Sequence, residues 1–381
     1  MTPKSIILHI VRNKVIEDSR VLRAAKAVAQ AFPNAQVTCL GYTNDSKHDY
    51  SIGSVKLSIV KVSTWPLMPK IISRFMKYLH WHYECVKEFS DKPVKVIHCH
   101  ELVPILISLH LKYRTGCKII YDAHELETEC RTNRFDKSMK FFYKLVEKVG
   151  INSASTMITV SNSIRDWYSE KYPRAEINVI YNCPEVSVDT QTTTPIQVLN
   201  DDVSFIYCGA IVPGRGIDLY LQTFAEHPDK MLYFLGDGTL VETVKQFSAK
   251  YKNIEYLGKV KPDQVVNALK IADVSLCLIE DTTLTSRYCM PNKLFESAVA
   301  GLPLIVSDLP DLREFIETHD AGWVTDYEKS DLGKVISSLN KADISAKSQN
   351  LSDFDQLFSW DAEQYKLIDI YTQLLEKEMP L

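Results

Sequence analysis

Residues 287–308, RYCMPNKLFESAVAGLPLIVSD, decide the fold of the second half of the chain, because they combine a loop, a short helix and a buried strand. Pro291 suits the first helical turn, Gly301 suits a position just past the helix end, and the apolar run 302–306 predicts a strand. At helical spacing the packed face consists of Leu294 with Ala298 and Phe295 with Val299. A helix that leads into a buried strand is typical of a parallel α/β sheet.

Lys293 and Glu296 lie three residues apart and share the other face of this helix. One interpretation is a solvated salt bridge, which is common and weak. The other is a site for a phosphorylated ribose. A carboxylate accepts hydrogen bonds from a vicinal diol, and an ammonium beside a helix N-terminus attracts pyrophosphate. The rest of the chain has to decide between the two.

Length and charge limit the classes of protein that fit. The 381 residues, 45% of them hydrophobic, suffice for two or three domains. With 44 Lys and Arg against 48 Asp and Glu, the net charge of -4 argues against coating of nucleic acid. We find no window of 18 apolar residues, and the run 6–11 is too short for a signal-peptide core. We therefore expect a cytoplasmic protein.

The cysteines and histidines give no metal or disulfide framework. Nine cysteines are scattered without a C-x-x-C spacing, as in a reduced protein that uses Cys as a small core residue. The pairs His80/His82 and His98/His100 could reach a metal from one strand, but no Cys or carboxylate is spaced to complete a closed site. We expect no metal and no cofactor.

The first half alternates strands and helices. Apolar runs at 6–11, 36–41, 55–62, 94–98, 118–121 and 156–160 predict strands, and helical patterns separate them. In the helix predicted over 16–32, one packing stripe consists of Val21, Leu22, Ala25, Val28 and Ala29. This rhythm predicts a doubly wound α/β domain over residues 1–185.

Two stretches of this half are both basic and aromatic. Residues 65–89 interleave Trp, Phe, Ile and Leu with Lys and Arg, and residues 131–148 do the same more weakly. Such a helix suits an anionic membrane surface, but it also suits a core helix whose cations reach solvent. Both interpretations stay open.

Two histidines follow strands of the predicted sheet. His124 follows the strand 118–121, and His100 follows the strand 94–98. Ligands of open α/β sheets bind beyond the carboxyl ends of the strands. We assign a function to His124 and a structural, loop-capping role to His100.

A polar, Thr-rich stretch at 182–202 predicts a linker, after which the alternation restarts. Strands are predicted at 203–209, 231–236, 254–258, 273–279, 302–306 and 322–325. Thr239 with Glu242 predicts a capping box, and Pro262 predicts another helix start. Residues 200–358 thus form a second doubly wound domain. The amphipathic helix 359–381 is expected to return to the first domain, and the ligand is expected in a cleft between the two sheets.

The loop 209–218 carries glycines and Arg215 between a strand and a helix. Glycine lets the backbone approach an anion, and a guanidinium suits phosphate. The loop matches neither the dinucleotide fingerprint nor the P-loop, which argues against a dehydrogenase and an NTPase.

These motifs resemble the GT-B glycosyltransferases of family 4, the group 1 glycosyl transferases. The resemblance rests on the glycine loop at 209–216, Gly236-Asp237-Gly238, the stretch 291–303, Tyr121-Asp122-Ala123-His124-Glu125 and the start of the last helix at 358–360. It implies two Rossmann-like domains and a retaining, metal-independent transfer from a nucleotide sugar, with a UDP-sugar expected ahead of a GDP-sugar. It also implies a glycan or lipid-linked acceptor in surface polysaccharide or glycoconjugate synthesis.

The resemblance also assigns roles to residues. Glu296 would hold the ribose, Arg215 and Lys293 would neutralise the pyrophosphate, and His124 would lie near the reacting sugar. The remaining nucleotide-site residues would be Gly214, Gly236, Lys259, Val260 and Asn292. Fixed cations stabilise a leaving nucleoside diphosphate most in the transition state, which agrees with these roles.

The chain departs from the family pattern at three places. Tyr288 replaces the first Glu of the E-x7-E motif, Ala210 replaces a basic residue, and the loop 12–18 lacks a glycine pair. A nucleotide-sugar epimerase or phosphorylase of the same fold, and a non-catalytic nucleotide-sugar sensor, remain as alternatives. Membrane contact through 65–89 and 131–148, at the inner face of the cell membrane, is expected if the acceptor is a lipid.

Overall fold

The computed structural model describes residues 4–12, 15, 18–43, 48–62, 68–130, 137–186 and 203–376. The chain divides into two compact units. The N-terminal unit comprises Met1–Ile180 with Gln364–Leu381, and the C-terminal unit comprises Tyr181–Glu363. Among the described residues, no helix combines the length and the apolar character needed to cross a bilayer.

The N-terminal unit is built on a twisted sheet with the described strand order β3-β4-β2-β1-β5-β6-β7-β8. Its strands are β1 (Ile6–Ile10), β2 (Gln36–Thr43), β3 (His48–Ile52), β4 (Val55–Lys61), β5 (Val94–His100), β6 (Lys118–Ala123), β7 (Thr156–Thr159) and β8 (Ile177–Val179). Its helices are α1 (Ser19–Ala31), α2 (Lys70–Phe89), α3 (Ile105–Thr115), α4 (Lys137–Ser153) and α5 (Asn162–Lys171). All pairs are parallel except β3 with β4.

Burial explains why the N-terminal segments form these elements. All five residues of β1 are buried, as expected for a central parallel strand covered on both faces. The Asp18 carboxylate accepts from the Val21 amide and caps α1, whose predicted stripe is buried except at the half-exposed Leu22. The strands β3 and β8 were not predicted, because both are short edge strands without a clear apolar run.

The C-terminal unit has a parallel sheet with the order β11-β10-β9-β12-β13-β14. The strands are β9 (Ser204–Cys208), β10 (Met231–Leu235), β11 (Ile254–Gly258), β12 (Val274–Cys277), β13 (Leu304–Ser307) and β14 (Gly322–Thr325). The helices are α6 (Ile217–Ala225), α7 (Val241–Lys250), α8 (Val265–Leu269), α9 (Leu284–Arg287), α10 (Asn292–Val299), α11 (Pro310–His319), α12 (Lys329–Ser338), α13 (Lys341–Gln349) and α14 (Phe354–Leu357). The last helix, α15 (Trp360–Glu376), starts in this unit and belongs to the N-terminal unit from Gln364 onwards. Both units therefore have the predicted Rossmann-like architecture.

The helix from the opening stretch is α10. It starts after Pro291 and is followed by Gly301, whose φ of 78° lies in the left-handed region. Leu294, Phe295 and Ala298 are buried and Val299 is half-buried, which confirms the predicted packed face in three of its four positions.

One helix start was predicted wrongly. Helix α7 begins at Val241 after Leu240, which makes no side-chain cap, so Thr239 and Glu242 form no capping box. Thr239 lies on the turn after Gly238 and is one residue too early to cap the helix. Pro262 does open a helical turn, a 3-10 helix over Pro262–Gln264 that runs into α8.

Candidate functional site

Two glycine-rich loops approach each other at the carboxyl edge of the C-terminal sheet. The first follows the central strand β9, which lies between β10 and β12, where the strand order reverses. A Cβ atom added to Gly236 would lie 1.8 Å from the Gly209 carbonyl oxygen, and one added to Gly238 would lie 2.3 Å from that of Ile211. Only glycine permits this close approach of the two backbones.

Lys293 lies on the first turn of α10 and points back towards this loop. The residue is buried, its Nζ has no hydrogen-bond partner among the described residues, and Nζ lies 4.0 Å from the centroid of the Tyr207 ring. A Cβ atom on Gly209 would lie 3.6 Å from Nζ. The interpretation of Lys293 as half of a solvated salt bridge is therefore wrong, because the side chain is buried. A buried ammonium needs a counter-charge, and Nζ has no hydrogen-bond partner among the described residues.

The charges of Arg215, Glu296 and Lys293 all influence the same buried group, the Cys277 thiol. Burial raises the pKa of the Cys277 thiol at the end of β12, while Lys293 and Arg215 lower it and Glu296 raises it further. The Arg215 and Glu296 side chains are half-buried. The two cations and the carboxylate that were predicted for the diphosphate and the ribose therefore all lie within electrostatic range of the Cys277 thiol.

The other predicted nucleotide-site residues have ordinary local contacts. The exposed Asn292 accepts a hydrogen bond of 2.6 Å from Asn182, and the Gly214 carbonyl accepts one of 3.1 Å from Glu280. Lys259 is 74% exposed and pairs with Asp237 at 3.3 Å. Val260 is half-buried and packs against a small apolar cluster below the sheet. Exposed ion pairs of the Lys259 kind contribute little stability.

A buried carboxylate occupies the corresponding strand end in the N-terminal unit. Asp122, in β6, is 2% exposed, and its Oδ1 lies 2.9 Å from Nη2 of the buried Arg20. Its Oδ2 faces three imidazole nitrogens, from His98 at 3.4 Å, His100 at 3.2 Å and His124 at 3.1 Å. Strand β5 runs through His100 and β6 through Ala123, so both are longer than predicted, and this places the histidines beside the carboxylate.

Burial and charge set the ionisation of this cluster. Burial alone raises the pKa of Asp122, but the Arg20 guanidinium and the neighbouring imidazoles hold the pKa of its carboxyl well below the ordinary value. Burial lowers the pKa of His9, His98 and His100. The inner cluster therefore holds an ionised carboxylate and neutral imidazoles at pH 7.

His124 is the most exposed of the four histidines near Asp122, with 17% of its side chain accessible, and Asp122 holds its Nε2. His100 is fully buried inside β5 and does not cap a loop, so its predicted position was wrong, although its contacts are internal. The next residue, Glu101, has a φ of 66° and donates its amide to the Asp122 carbonyl, so the backbone is strained beside this site.

Four residues of this cluster were not singled out from the sequence: Asp122, Arg20, His9 and Tyr371. Asp122 had a usable signal, since it is a carboxylate near the end of a buried strand, directly before Ala123-His124. Arg20 is the second residue of α1, and Tyr371 lies in α15 and reaches His98 Nδ1 at 3.0 Å across 273 residues. No local pattern indicates such a contact.

Helix α2 presents two apolar sides. Trp81, Cys85 and Phe89 are buried in the N-terminal core, as in the core-helix interpretation. Large side chains are exposed elsewhere on α2 and on α4: Ile72, Phe75, Leu79, Tyr83, Phe141, Phe142, Leu145 and Val149. Trp65 and residues 131–136 lie outside the described residues. The described parts of both stretches thus keep an exposed apolar surface with lysines around it.

Comparison with known proteins gives matches to both halves. The family model Glycosyltransferase Family 4 matches residues 21–187, and the model Glycosyl transferases group 1 matches residues 202–341. A lipopolysaccharide 1,2-N-acetylglucosaminetransferase of Salmonella typhimurium is 25% identical over 230 residues, which are 54% of this chain and 58% of that relative. The match therefore spans less than two thirds of the relative's length.

Solved structures share the fold over nearly the whole chain. Sucrose-phosphate synthase of Thermosynechococcus elongatus superposes with a TM-score of 0.78 at 14% identity, over 98% of this chain and 100% of the other. HepE of Anabaena in complex with UDP-glucose gives 0.70 at 12% identity, over 97% and 99%. The lipopolysaccharide outer core galactosyltransferase WaaB gives 0.65 at 15% identity, over 98% and 100%.

Proposed function

Because this chain belongs to the GT-B glycosyltransferases of the family 4, or group 1, type, we propose that it transfers a sugar from a UDP-sugar to a glycan or lipid-linked acceptor. The product belongs to a surface polysaccharide or glycoconjugate. The observation that carries the proposal is the buried Lys293 ammonium, which lacks a hydrogen-bond partner among the described residues and lies beside Gly209. A donor diphosphate supplies the missing counter-charge.

The donor roles follow from the positions of three charged side chains. Lys293 and Arg215 stabilise the diphosphate, and their effect grows as the leaving group gains charge in the transition state. Glu296, one helical turn after Lys293, accepts hydrogen bonds from the ribose hydroxyls. Since protein cations neutralise the diphosphate, the transfer itself needs no metal at this position.

The stereochemical course we propose is retention. The acceptor hydroxyl attacks the face that the leaving diphosphate vacates, and a phosphate oxygen takes its proton. His124, held by Asp122 at 3.1 Å, contacts the transferred sugar. No protein nucleophile is required in this course.

The choice of donor and acceptor is supported by the relatives. HepE was crystallised with UDP and with UDP-glucose, and the Salmonella relative is an N-acetylglucosaminetransferase that acts on lipopolysaccharide. A uridine donor and a surface-glycan acceptor in this chain are consistent with both. The exposed apolar residues of α2 and α4, with Lys70 and Arg74 beside them, support docking at the cytoplasmic face of an anionic membrane.

A donor panel tests the activity. We expect one UDP-sugar to raise the Tm of the protein and to release UDP when an acceptor is present. Release of the nucleotide must fall in Glu296→Gln, and loss of hydrogen bonds to a charged acceptor should weaken UDP binding by about 1.5–3 kcal/mol, roughly tenfold to a hundredfold.

The outcomes separate the competing functions. Conversion of the donor without acceptor, seen by proton NMR, would indicate an epimerase, and binding without release would indicate a sensor. Equal UDP affinity in wild type and Glu296→Gln would contradict the ribose assignment.

Membrane docking is tested by liposome flotation with Lys70, Arg74 and Phe75 replaced together, and unchanged partitioning would contradict it. Replacement of Lys334, which lies in the C-terminal unit, is the matched control.

A further inference from the structure

The strand order of the N-terminal sheet marks a second position where a ligand can bind. The chain leaves β1 towards β2 and β4 on one side and returns to β5 and β6 on the other, so the order reverses between β1 and β5. In open α/β sheets, ligands bind beyond the carboxyl ends of the strands at such a reversal. Two charged residues come at this point, since Arg12 closely follows β1 and Glu101 directly follows β5.

The Glu101 carboxylate has no partner among the described residues. Its side chain is half-buried, and neither a hydrogen bond nor an ion pair to another described side chain holds the carboxylate. Burial raises the pKa of this carboxyl, while the charges of His124 and Arg12 lower it, so Glu101 lies within electrostatic range of His124. A half-buried carboxylate without a partner is available to the hydrogen-bond donors of a ligand.

Neighbouring groups hold the backbone of Glu101 in an unfavourable conformation. Its φ of 66° is uncommon for a residue other than glycine. The Glu101 amide donates to the Asp122 carbonyl at 3.0 Å, and the next amide, that of Leu102, donates to the Glu127 carboxylate. Such strain persists only where the surroundings fix it, and it is concentrated at ligand sites. The strained residue coincides here with the reversal of strand order and with the unpartnered carboxylate.

The charges around Glu101 limit the kind of ligand. After burial, the charge of Glu125 is among the causes that raise the pKa of Glu101, and the charge of Glu101 is among those that raise the pKa of Glu127. Three neighbouring carboxylates repel an acidic or phosphorylated sugar, and the Arg12 guanidinium offsets only one of these charges. A carboxylate accepts hydrogen bonds from the hydroxyls of a neutral sugar.

We propose that Glu101 binds the acceptor: its carboxylate accepts hydrogen bonds from two neighbouring hydroxyls of a neutral terminal sugar and selects that sugar. This proposal rests on the proposed function and goes beyond it by naming a residue and a class of acceptor. Glu101 and His124 belong to the same unit and their charges interact, so a sugar held by Glu101 lies next to the one that His124 contacts. Binding there holds the acceptor for attack.

Sugar binding can be measured without a donor and without turnover. The full chain is mixed with the methyl glycosides of glucose, galactose and mannose and with methyl glucuronide, and saturation-transfer NMR measures the affinities. Wild type should bind at least one neutral glycoside more tightly than the glucuronide. Glu101→Gln should weaken that binding roughly tenfold, because hydrogen bonds to a charged acceptor are lost. Asp166→Asn, at a 66% exposed carboxylate of the same unit, is the matched control and should bind as wild type does.

Deoxy analogues of the bound glycoside separate direct contact from a structural role. Removing a hydroxyl that Glu101 holds should weaken binding to wild type but leave binding to Glu101→Gln almost unchanged, since that hydrogen bond is already lost. Circular dichroism confirms that both variants are folded. Three results would overturn the proposal: no neutral glycoside binds to wild type, wild type and Glu101→Gln bind equally, or the losses are additive for every deoxy analogue.

UDP affinity distinguishes failure of this proposal from failure of the proposed function. It should be equal in wild type and Glu101→Gln, because the residues proposed for the diphosphate and the ribose belong to the C-terminal unit. Wild type that binds a neutral glycoside but no UDP would contradict the transferase and leave the sugar site in place. A fall of UDP affinity in Glu101→Gln would overturn the assignment of Glu101 to the acceptor.

Discussion

Lys293 and Asp122 are both buried charges at the carboxyl edge of a parallel sheet, but their surroundings differ. The Lys293 ammonium has an aromatic ring below it and no hydrogen-bond partner among the described residues. The Asp122 carboxylate has a guanidinium at 2.9 Å and an imidazole at 3.1 Å, among other contacts. A charge that is already paired contributes to the fold, whereas a charge without a partner is available to a ligand. Stability and binding measurements should separate the two.

The largest effect is expected at the paired charge. Asp122→Asn leaves the Arg20 guanidinium buried without its counter-charge, which should lower the free energy of unfolding by about 3–5 kcal/mol. Urea denaturation in the presence of a chelator measures this loss. Arg20→Met combined with Asp122→Asn should recover part of the stability. Asp229→Asn, at an exposed carboxylate, should change stability by less than about 0.5 kcal/mol.

Lys293→Met should show the opposite pattern. Removing a buried ammonium without a hydrogen-bond partner should leave the free energy of unfolding unchanged or raise it, while UDP affinity falls by about 1.5–3 kcal/mol because charge-assisted bonds are lost. Calorimetry with UDP and with uridine measures this. The uridine affinity should hardly change, since uridine carries no diphosphate. A stability loss as large as that of Asp122→Asn would mean that Lys293 is structural.

Glu127 is another carboxyl of the N-terminal unit, and its pKa is shifted in the opposite direction from that of Asp122. Burial raises the pKa of Glu127 to about 7, against an ordinary 4.5, although the carboxylate accepts a hydrogen bond from the Leu102 amide. Since the pKa of Glu127 is higher in the folded state than in the unfolded state, the protonated carboxyl stabilises the fold. This contribution to the free energy of unfolding is full below pH 4.5 and is lost as the pH rises through 7. Glu127→Gln should therefore raise stability at pH 8 by about 1–2 kcal/mol, and by less at pH 5. Urea midpoints at both pH values test this, and an equal gain at both would contradict it.

The smallest effect is expected at Lys259. Its ammonium is 74% exposed and pairs with Asp237 on the surface, so it differs from Lys293 in burial while sharing its charge. Lys259→Met should change UDP affinity by about 0–1 kcal/mol. The same calorimetric titration measures it, and a loss equal to that of Lys293→Met would place Lys259 directly on the diphosphate.

Local patterns predicted most of the fold and part of the site. The central strands and α10 follow from apolar runs and from Pro291 and Gly301, because burial on both faces and helix ends leave direct traces in the sequence. Lys293, Glu296 and Arg215 were found because they lie on motifs of short span. Edge strand β3 was missed since an edge strand needs no apolar run. Asp122 was passed over because its partners come from α1, β5 and the loop after β6.

The sequence by itself determined the two Rossmann-like units, the glycine loops and the charged residues at the C-terminal sheet edge, since these depend on periodicity and on neighbours within a few positions. Only the tertiary structure decided which charges are paired. Lys293 could have been an exposed partner of Glu296, and Asp122 could have been an ordinary strand end. Their burial, and the contact of Tyr371 with histidines more than 270 residues away, arise when distant elements pack, and the electrostatics of a buried group depend on that packing.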